Sequence, residues 1–413
     1  MMNRFNGIFL GAILLLLQAC GTTPPLETRH QPSGLNTQFN NSQSSFMDYV
    51  ADSRAMITKV RSGGSATELE KVVNGNAPFE LKPAASCPKG RDKSYRRGVL
   101  LTHGLTDAPY SMHALASFFQ ENCFRVMAIL LPGHGTQPGD LLDVTWQEWA
   151  KAEAYGTDKL AAEVDEVYLA GFSTGGALGV YQTFGDSRVR GLFLFSPALK
   201  ITPLASLATV HKIYSWLMPS AKWNSIMPDK DIYKYESFPN NAAAQIYALT
   251  REVQTRLHDH TVDIPIFTAA SQEDTTVYSS ATLDFMAHAR HASNKLVLYT
   301  VDTKKIPPNI PTGQLELVNS VFPKQKILSA AHTSITLPAD DAHYGLTGEY
   351  SNCTHYYPDE LEKYTACSKN PEQALQGELT KENLNAGTLR RLMANPNFSA
   401  LKISMKKFID GLP

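Results

Sequence analysis

The residues best suited to chemistry in this chain lie in the run Ala170-Gly171-Phe172-Ser173-Thr174-Gly175-Gly176. A serine hydroxyl is a weak nucleophile until it is held exposed beside a base. The pattern Gly-x-Ser-x-Gly after an apolar run predicts a sharp strand-to-helix turn with Ser173 at its apex. Side chains at Gly171 or Gly175 would collide across so tight a turn, and Ser173 must adopt a strained backbone to make it. A helix opening at Thr174 directs free N–H groups and the positive end of its dipole toward the serine oxygen. The chemistry this predicts is nucleophilic, with Ser173 acylated.

Such a serine needs a base to take its proton and an acid to orient that base. Downstream, the apolar run 264–270 ends in Ser271-Gln272-Glu273-Asp274-Thr275-Thr276-Val277. Asp274, just past the strand end, is chosen as the acid over Glu273. A short apolar run, 327–331, is expected to be a strand that delivers His332 as the base. His343, within Asp340-Asp341-Ala342-His343-Tyr344-Gly345, is its rival. That Asp/His cluster has only generic ligand spacing, so a polar loop is preferred there to a metal site. Upstream, Thr102-His103-Gly104-Leu105-Thr106 supplies a turn whose Leu105 N–H, with that of Thr174, suits a developing oxyanion. His103 and His134 are read as structural residues of their turns, and His288 and His291 as surface residues.

The elements that must hold these groups alternate from residue 96 onward. Continuous apolar runs at 98–102, 125–131, 167–170, 191–195, 264–269 and 296–301 read as buried strands, with helices at 111–119 and 146–162 between them. Such strands form a mainly parallel sheet covered on both faces, with reactive groups at its carboxyl ends. Two regions break the alternation. Residues 199–257, with Trp216, Leu217, Met218, Trp223, Ile226, Met227, Tyr233 and Tyr235, are expected to form a helical cap. A proline-rich insertion at 306–322 separates the last core strand from His332. Residues 340–413 form a C-terminal extension, with a cysteine-bearing loop and a helix near 388–409. Ahead of the sheet, 46–73 has helical spacing.

The chain has 413 residues and a formal net charge of −1, which gives no electrostatic case for nucleic acid as a partner. Arg4 and the apolar run 8–17, too short to span a bilayer, lead into Leu17-Gln18-Ala19-Cys20. This resembles the lipobox of bacterial lipoproteins, which implies removal of 1–19, lipidation of Cys20 and a place in the cell envelope. Gly21-Thr22 after the cysteine is similar to lipoproteins sent to the outer membrane. Residues 20–45, rich in Pro, Thr, Gln, Asn and Ser, read as a flexible tether before a domain spanning 46–413. The four other cysteines would then lie in an oxidising compartment. Three connectivities are possible. The favoured one joins Cys353 to Cys367 within one polar loop, and Cys87 to Cys123 around the first core strand and its helix.

His103-Gly104-Leu105-Thr106, Leu130-Leu131-Pro132-Gly133-His134-Gly135-Thr136, Trp146-Gln147-Glu148-Trp149 and Gly171-Phe172-Ser173-Thr174-Gly175-Gly176 together resemble the bacterial monoacylglycerol lipase, lysophospholipase and carboxylesterase group of α/β-hydrolases. Tyr235-Glu236-Ser237-Phe238-Pro239-Asn240-Asn241 is similar to a cap-region stretch of the same group. The resemblance implies an α/β-hydrolase fold and hydrolysis of lipid esters through an acyl-enzyme, without metal or cofactor. Its serine–acid–histidine chain order suits Ser173, Asp274 and His332. The competing readings are a small-ester carboxylesterase, an acyltransferase that resolves the same intermediate with an alcohol, and a non-catalytic envelope lipoprotein. For the amino terminus the expectation is direct: mass spectrometry of the mature protein from its native host should find acyl groups on an N-terminal Cys20. A product beginning at another residue would exclude the anchor.

Overall fold

Along Val99, Leu100 and Leu101 successive side chains point to opposite faces of a sheet, and each face is buried. The same alternation runs through Tyr168, Leu169 and Ala170, through Leu192, Phe193 and Leu194, and through Leu296, Val297 and Leu298. A strand that buries both faces needs helices on both sides, and burial of each large apolar side chain is worth about 1.5–3 kcal/mol.

The computed structural model describes residues 24–206, 208, 215 and 218–412. Its first strands are β1 (Phe79–Leu81), β2 (Tyr95–Thr102), β3 (Phe124–Ile129), β4 (Val164–Phe172) and β5 (Val189–Phe195). A separate antiparallel pair follows, β6 (Trp223–Ser225) and β7 (Phe238–Pro239). The central sheet then resumes with β8 (Ile266–Ser271), β9 (Lys295–Thr300) and β10 (Leu315–Asn319). Its spatial order is β1-β3-β2-β4-β5-β8-β9-β10, and every pairing is parallel except β1 with β3.

Helices α1 (Phe46–Val60) and α2 (Ala66–Asn76) precede the sheet, and α3 (His113–Glu121) follows β2. Helices α4 (Trp146–Glu163), α5 (Thr174–Thr183), α6 (Asn240–Asp259) and α7 (Ser279–His288) share one core with Leu100, Leu169 and Leu192. On the opposite face Phe119 of α3 stacks edge-on against Phe193, with ring centroids 4.8 Å apart. Beyond β10 come α8 (Leu361–Lys369), β11 (Leu375–Gly377), α9 (Lys381–Ala386), β12 (Leu389–Arg391) and α10 (Phe398–Asp410). Phe408 of α10 closes the second face against Phe193 and Phe267. Disulfides join Cys87 to Cys123 and Cys353 to Cys367. Among the described residues no helix is long and apolar enough to cross a membrane.

Several sequence expectations need correction. Residues 24–45 are not a loose tether. His30 and Asn36 are buried, and Phe39 packs against Tyr49 and Tyr155. Asn36 Nδ2 donates to the His134 carbonyl (2.7 Å) and Thr136 Oγ1 (3.0 Å), and the Ser33 N–H and hydroxyl both donate to Asp140 (2.6 and 2.8 Å). Polar side chains hold this segment, so hydrophobic periodicity could not reveal it.

The expected cap at 199–257 is not helical throughout its described residues. Its described residues include a 3-10 turn at Pro219–Lys222, the β6–β7 pair and α6. Leu249 and Val253 of α6 belong to the sheet core. The proline-rich insertion carries β10, parallel to β9. Conversely, 327–331 is no strand: Ile327 alone makes isolated bridges, to Phe322 and Gln376. The expected helix at 388–409 divides into β12 and α10. The leader 1–19, Cys20, Trp216 and Leu217 lie outside the described residues.

If residues 24–45 are part of the fold, Asn36→Ala leaves buried polar groups short of partners. It should then lower unfolding stability by about 1–3 kcal/mol in denaturant titration. A loose tether would give no change.

Candidate active site

Ser173 joins β4 to α5 with φ 52° and ψ −110°, a conformation costly to any residue with a side chain. Its surroundings impose the turn. The Ser173 N–H donates to the Phe195 carbonyl (2.9 Å), and the Ser173 carbonyl accepts from Ala177 (3.1 Å) and Ala198 (2.9 Å). A methyl group at Gly171 would stand 2.2 Å from the Gly175 backbone, and one at Gly175 would stand 2.1 Å from the Thr102 carbonyl oxygen. No side chain fits at either position. The elbow is therefore wedged between β2 and its own helix.

Two loops from distant parts of the chain meet this serine. Ser173 Oγ lies 3.0 Å from His332 Nε2, and His332 Nδ1 lies 2.6 Å from Asp274 Oδ2. With the proton on Nδ1, the imidazole donates to Asp274 and leaves Nε2 free to accept from the serine hydroxyl. Asp274 is fixed in turn: its Oδ1 accepts the N–H groups of Thr276 (2.8 Å) and Val277 (3.0 Å). His332 opens a 3-10 turn, His332–Ser334, and Ser334 Oγ accepts the Ala331 N–H at 3.0 Å. All three reacting side chains are nearly withdrawn from water.

The rivals go elsewhere. Glu273 turns back toward β9, accepting from Thr300 Oγ1 (3.2 Å) and the Val301 N–H (3.1 Å). His343 is buried in another cluster, with Nε2 3.0 Å from Asp231 and Nδ1 3.3 Å from Glu349. His103 accepts the Leu131 N–H on Nε2 (3.1 Å) and donates from Nδ1 to the Gly104 carbonyl (2.8 Å). Burial, with His134 alongside, holds its pKa well below the ordinary histidine value. Burial likewise lowers His134 to about 4. Both rings are neutral braces of their turns.

Leu105 and Thr174 both border the cavity above Ser173. Among the described residues neither N–H donates to a protein acceptor. The loop carrying Leu105 is held from above. The Thr106 carbonyl accepts the Tyr235 N–H (2.8 Å), and the Leu105 carbonyl accepts from Lys234 Nζ (3.2 Å). Thr106 itself is strained, with φ 64°.

The cavity measures about 620 Å³ and reaches Ser173 and His332. Ile201, Leu204, Phe238, Ile246 and Val277 give it apolar walls. All of these but Val277 belong to the region 199–257, whose buried aromatics turn elsewhere. Trp223 and Ile226 pack with Leu142, and Tyr233 packs with Leu337 and Tyr344. Sequence reasoning also missed Lys234, Arg391 and Glu378. Lys234 and Arg391 border the cavity, and Glu378 lies beneath it in contact with His332. Lys234 immediately precedes the stretch resembling the family, a signal of its place. Glu378 and Arg391 sit in irregular sequence with none.

A mostly parallel sheet with a serine at the β4–α5 elbow, an acid past β8 and a histidine beyond the last sheet strand defines a serine hydrolase of the α/β-hydrolase fold. Residues 93–301 match the family model described as serine aminopeptidase, S33 (Hydrolase_4), and the chain belongs to that family. It is 28% identical over 180 residues to a thermostable monoacylglycerol lipase of Bacillus sp. (strain H-257), covering 44% of this chain and 71% of that protein. Among solved structures it is similar to the monoacylglycerol lipase of Paleococcus ferrophilus, at 16% identity and a TM-score of 0.42, over 54% of this chain and 88% of that one. It is also similar to Est1E of Butyrivibrio proteoclasticus, at 16% identity and a TM-score of 0.37, over 55% and 84%.

The two histidines make the sharpest test of the site. On a short p-nitrophenyl ester, Ser173→Ala and His332→Ala should each lose about a thousandfold or more in kcat. His343→Ala should retain a Ser173 that reacts with a fluorophosphonate probe. Loss of labelling in the His343 variant alone would move the base to the later loop.

Proposed function

We propose that the protein hydrolyses carboxylic esters of single-chain lipids, of the monoacylglycerol or lysophospholipid type, through an acyl-enzyme on Ser173. One observation carries this reading: the Ser173–His332–Asp274 line opens into a cavity with largely apolar walls. The identity to a monoacylglycerol lipase supports the substrate class.

In this mechanism His332 Nε2 takes the proton as Ser173 Oγ attacks the ester carbonyl carbon. Asp274 stabilises the imidazolium that results and keeps the ring aligned. The carbonyl oxygen gains negative charge, which the N–H groups of Leu105 and Thr174 receive. As the tetrahedral intermediate collapses, the C–O bond to the alcohol breaks, and His332 returns its proton to the departing oxygen. Water then enters, gives a proton to His332 and attacks the acyl carbon; the bond to Ser173 Oγ breaks, His332 returns the proton to that oxygen, and the free acid leaves. A lipid on Cys20, with the N-terminal segment beyond it, would hold this site close to an outer-membrane surface.

A cavity of this size accepts a medium to long acyl chain, and each methylene it buries contributes up to about 0.8 kcal/mol. The test is kcat/KM for esters from acetyl to palmitoyl, with monoacylglycerol and lysophospholipid alongside. A rise of up to about fourfold per methylene until the pocket fills is expected. A steep fall beyond butyryl, with no turnover of either lipid, would make the protein a small-ester carboxylesterase instead.

A further inference from the structure

The late part of the chain reaches back to the reacting site, and one buried carboxylate there touches both the histidine and the acid loop. β11 and β12 pair in parallel with Gly377 opposite Arg391, which sets the next residue, Glu378, beside the Arg391 guanidinium. Glu378 is fully buried. Its Oε2 accepts the His332 N–H at 2.8 Å, and its Oε1 accepts from Thr275 Oγ1 at 3.0 Å and the Leu379 N–H at 2.8 Å. Arg391 Nη2 donates to Oε2 at 3.0 Å and to Thr276 Oγ1 at 2.5 Å, and it pairs ionically with Oε1 at 2.8 Å. The Glu378 N–H donates to the hydroxyl of Ser329, three residues before His332, at 3.0 Å.

A buried carboxylate is costly unless it is paired and its lone pairs are filled, and here both conditions are met. Burial would raise its pKa, but Arg391 and the backbone N–H groups hold the carboxyl below the ordinary glutamate value. What it bridges is informative. One oxygen grips the backbone of the histidine that faces Ser173, and the other grips the residue next to Asp274. The 2.6 Å contact between Asp274 and His332 spans these two loops, one following β8 and the other following β10.

We infer that Glu378 is a positioning residue: its carboxylate, backed by Arg391, clamps the Asp274 loop to the His332 loop and so sets the geometry in which the imidazole receives the serine proton. This rests on the reading of Ser173, Asp274 and His332 as the reacting groups. Glu378 touches neither substrate nor a reacting atom, so it acts through the placement of His332. Displacement of a catalytic group by an ångström costs on the order of a hundredfold in rate. A clamp of this kind should therefore appear in kcat more than in KM.

The test uses the full-length protein and steady-state turnover of a p-nitrophenyl ester, with active sites counted by fluorophosphonate titration. Glu378→Gln keeps the shape but removes the charge, and it should lower kcat per titrated site by about tenfold to a hundredfold, with KM within about twofold. Thr275→Val cuts the direct tie from Glu378 to the acid loop, leaving that of Arg391 to Thr276, and should lower kcat per site by about threefold to tenfold. Thr275→Ser, which restores the hydroxyl, should return kcat to near the wild-type value. If Glu378→Gln does not fold, the Thr275 pair decides alone. A merely structural Glu378 would lower the melting temperature and the number of titratable sites while each remaining site turned over normally; that result overturns the clamp. Failure of the wild-type protein to label at Ser173 would overturn the triad reading itself, and the clamp with it.

Discussion

The approach of the Gly175 backbone to the Thr102 carbonyl governs the architecture of the site. There is no room between them for even a methyl group. Because β2 and β4 are neighbours in a parallel sheet, their carboxyl ends rise together, and the chain leaving β4 must turn within the space β2 allows. The turn forces Ser173 into a strained conformation, and the strain is carried by hydrogen bonds from the adjacent β5 loop. Strand order, glycine placement and nucleophile exposure are thus one constraint seen at three scales.

Beneath that contact lies a second unusual group. Thr102 Oγ1 donates to the carboxyl of Glu153, which is fully buried on α4 at 2.5 Å. Burial raises Glu153 to about 8, with the Thr102 bond only partly offsetting it, so the carboxyl is largely neutral at pH 7. A carboxyl whose folded pKa is raised binds its proton more tightly than in the unfolded chain. Its protonation therefore supports the fold at acidic pH, and that support declines as pH climbs toward 8. The strand end that holds the elbow rests on a proton rather than on a charge pair.

Much of this was legible in the sequence because it depends on local pattern. Apolar runs marked six of the eight sheet strands, and the Gly-x-Ser-x-Gly spacing marked the elbow, since strand burial and tight turns each demand particular residue types. Asp274 and His332 were legible as chemistry placed after apolar runs, although the run before His332 is not a strand. It is apolar because Ile327 and Ala331 pack with Leu392. Features held together by dispersed polar contacts left no periodic signal. Residues 24–45 are fastened by Ser33 and Asn36, and Glu378 meets Arg391 across two three-residue strands. The cavity walls left no signal for a related reason: composition shows a cluster of large side chains near 216–235 without showing which of them face inward.

The placement of α10 has a consequence for the order in which the protein comes into being. The nucleophile is synthesised 159 residues before the histidine that faces it, and Phe408 must still arrive to cover Phe193 and Phe267. Until then the second face has the cover of Phe119 but not that of Phe408. Residues 93–301, which carry the family's likeness, contain Ser173 and Asp274 but neither His332 nor Phe408.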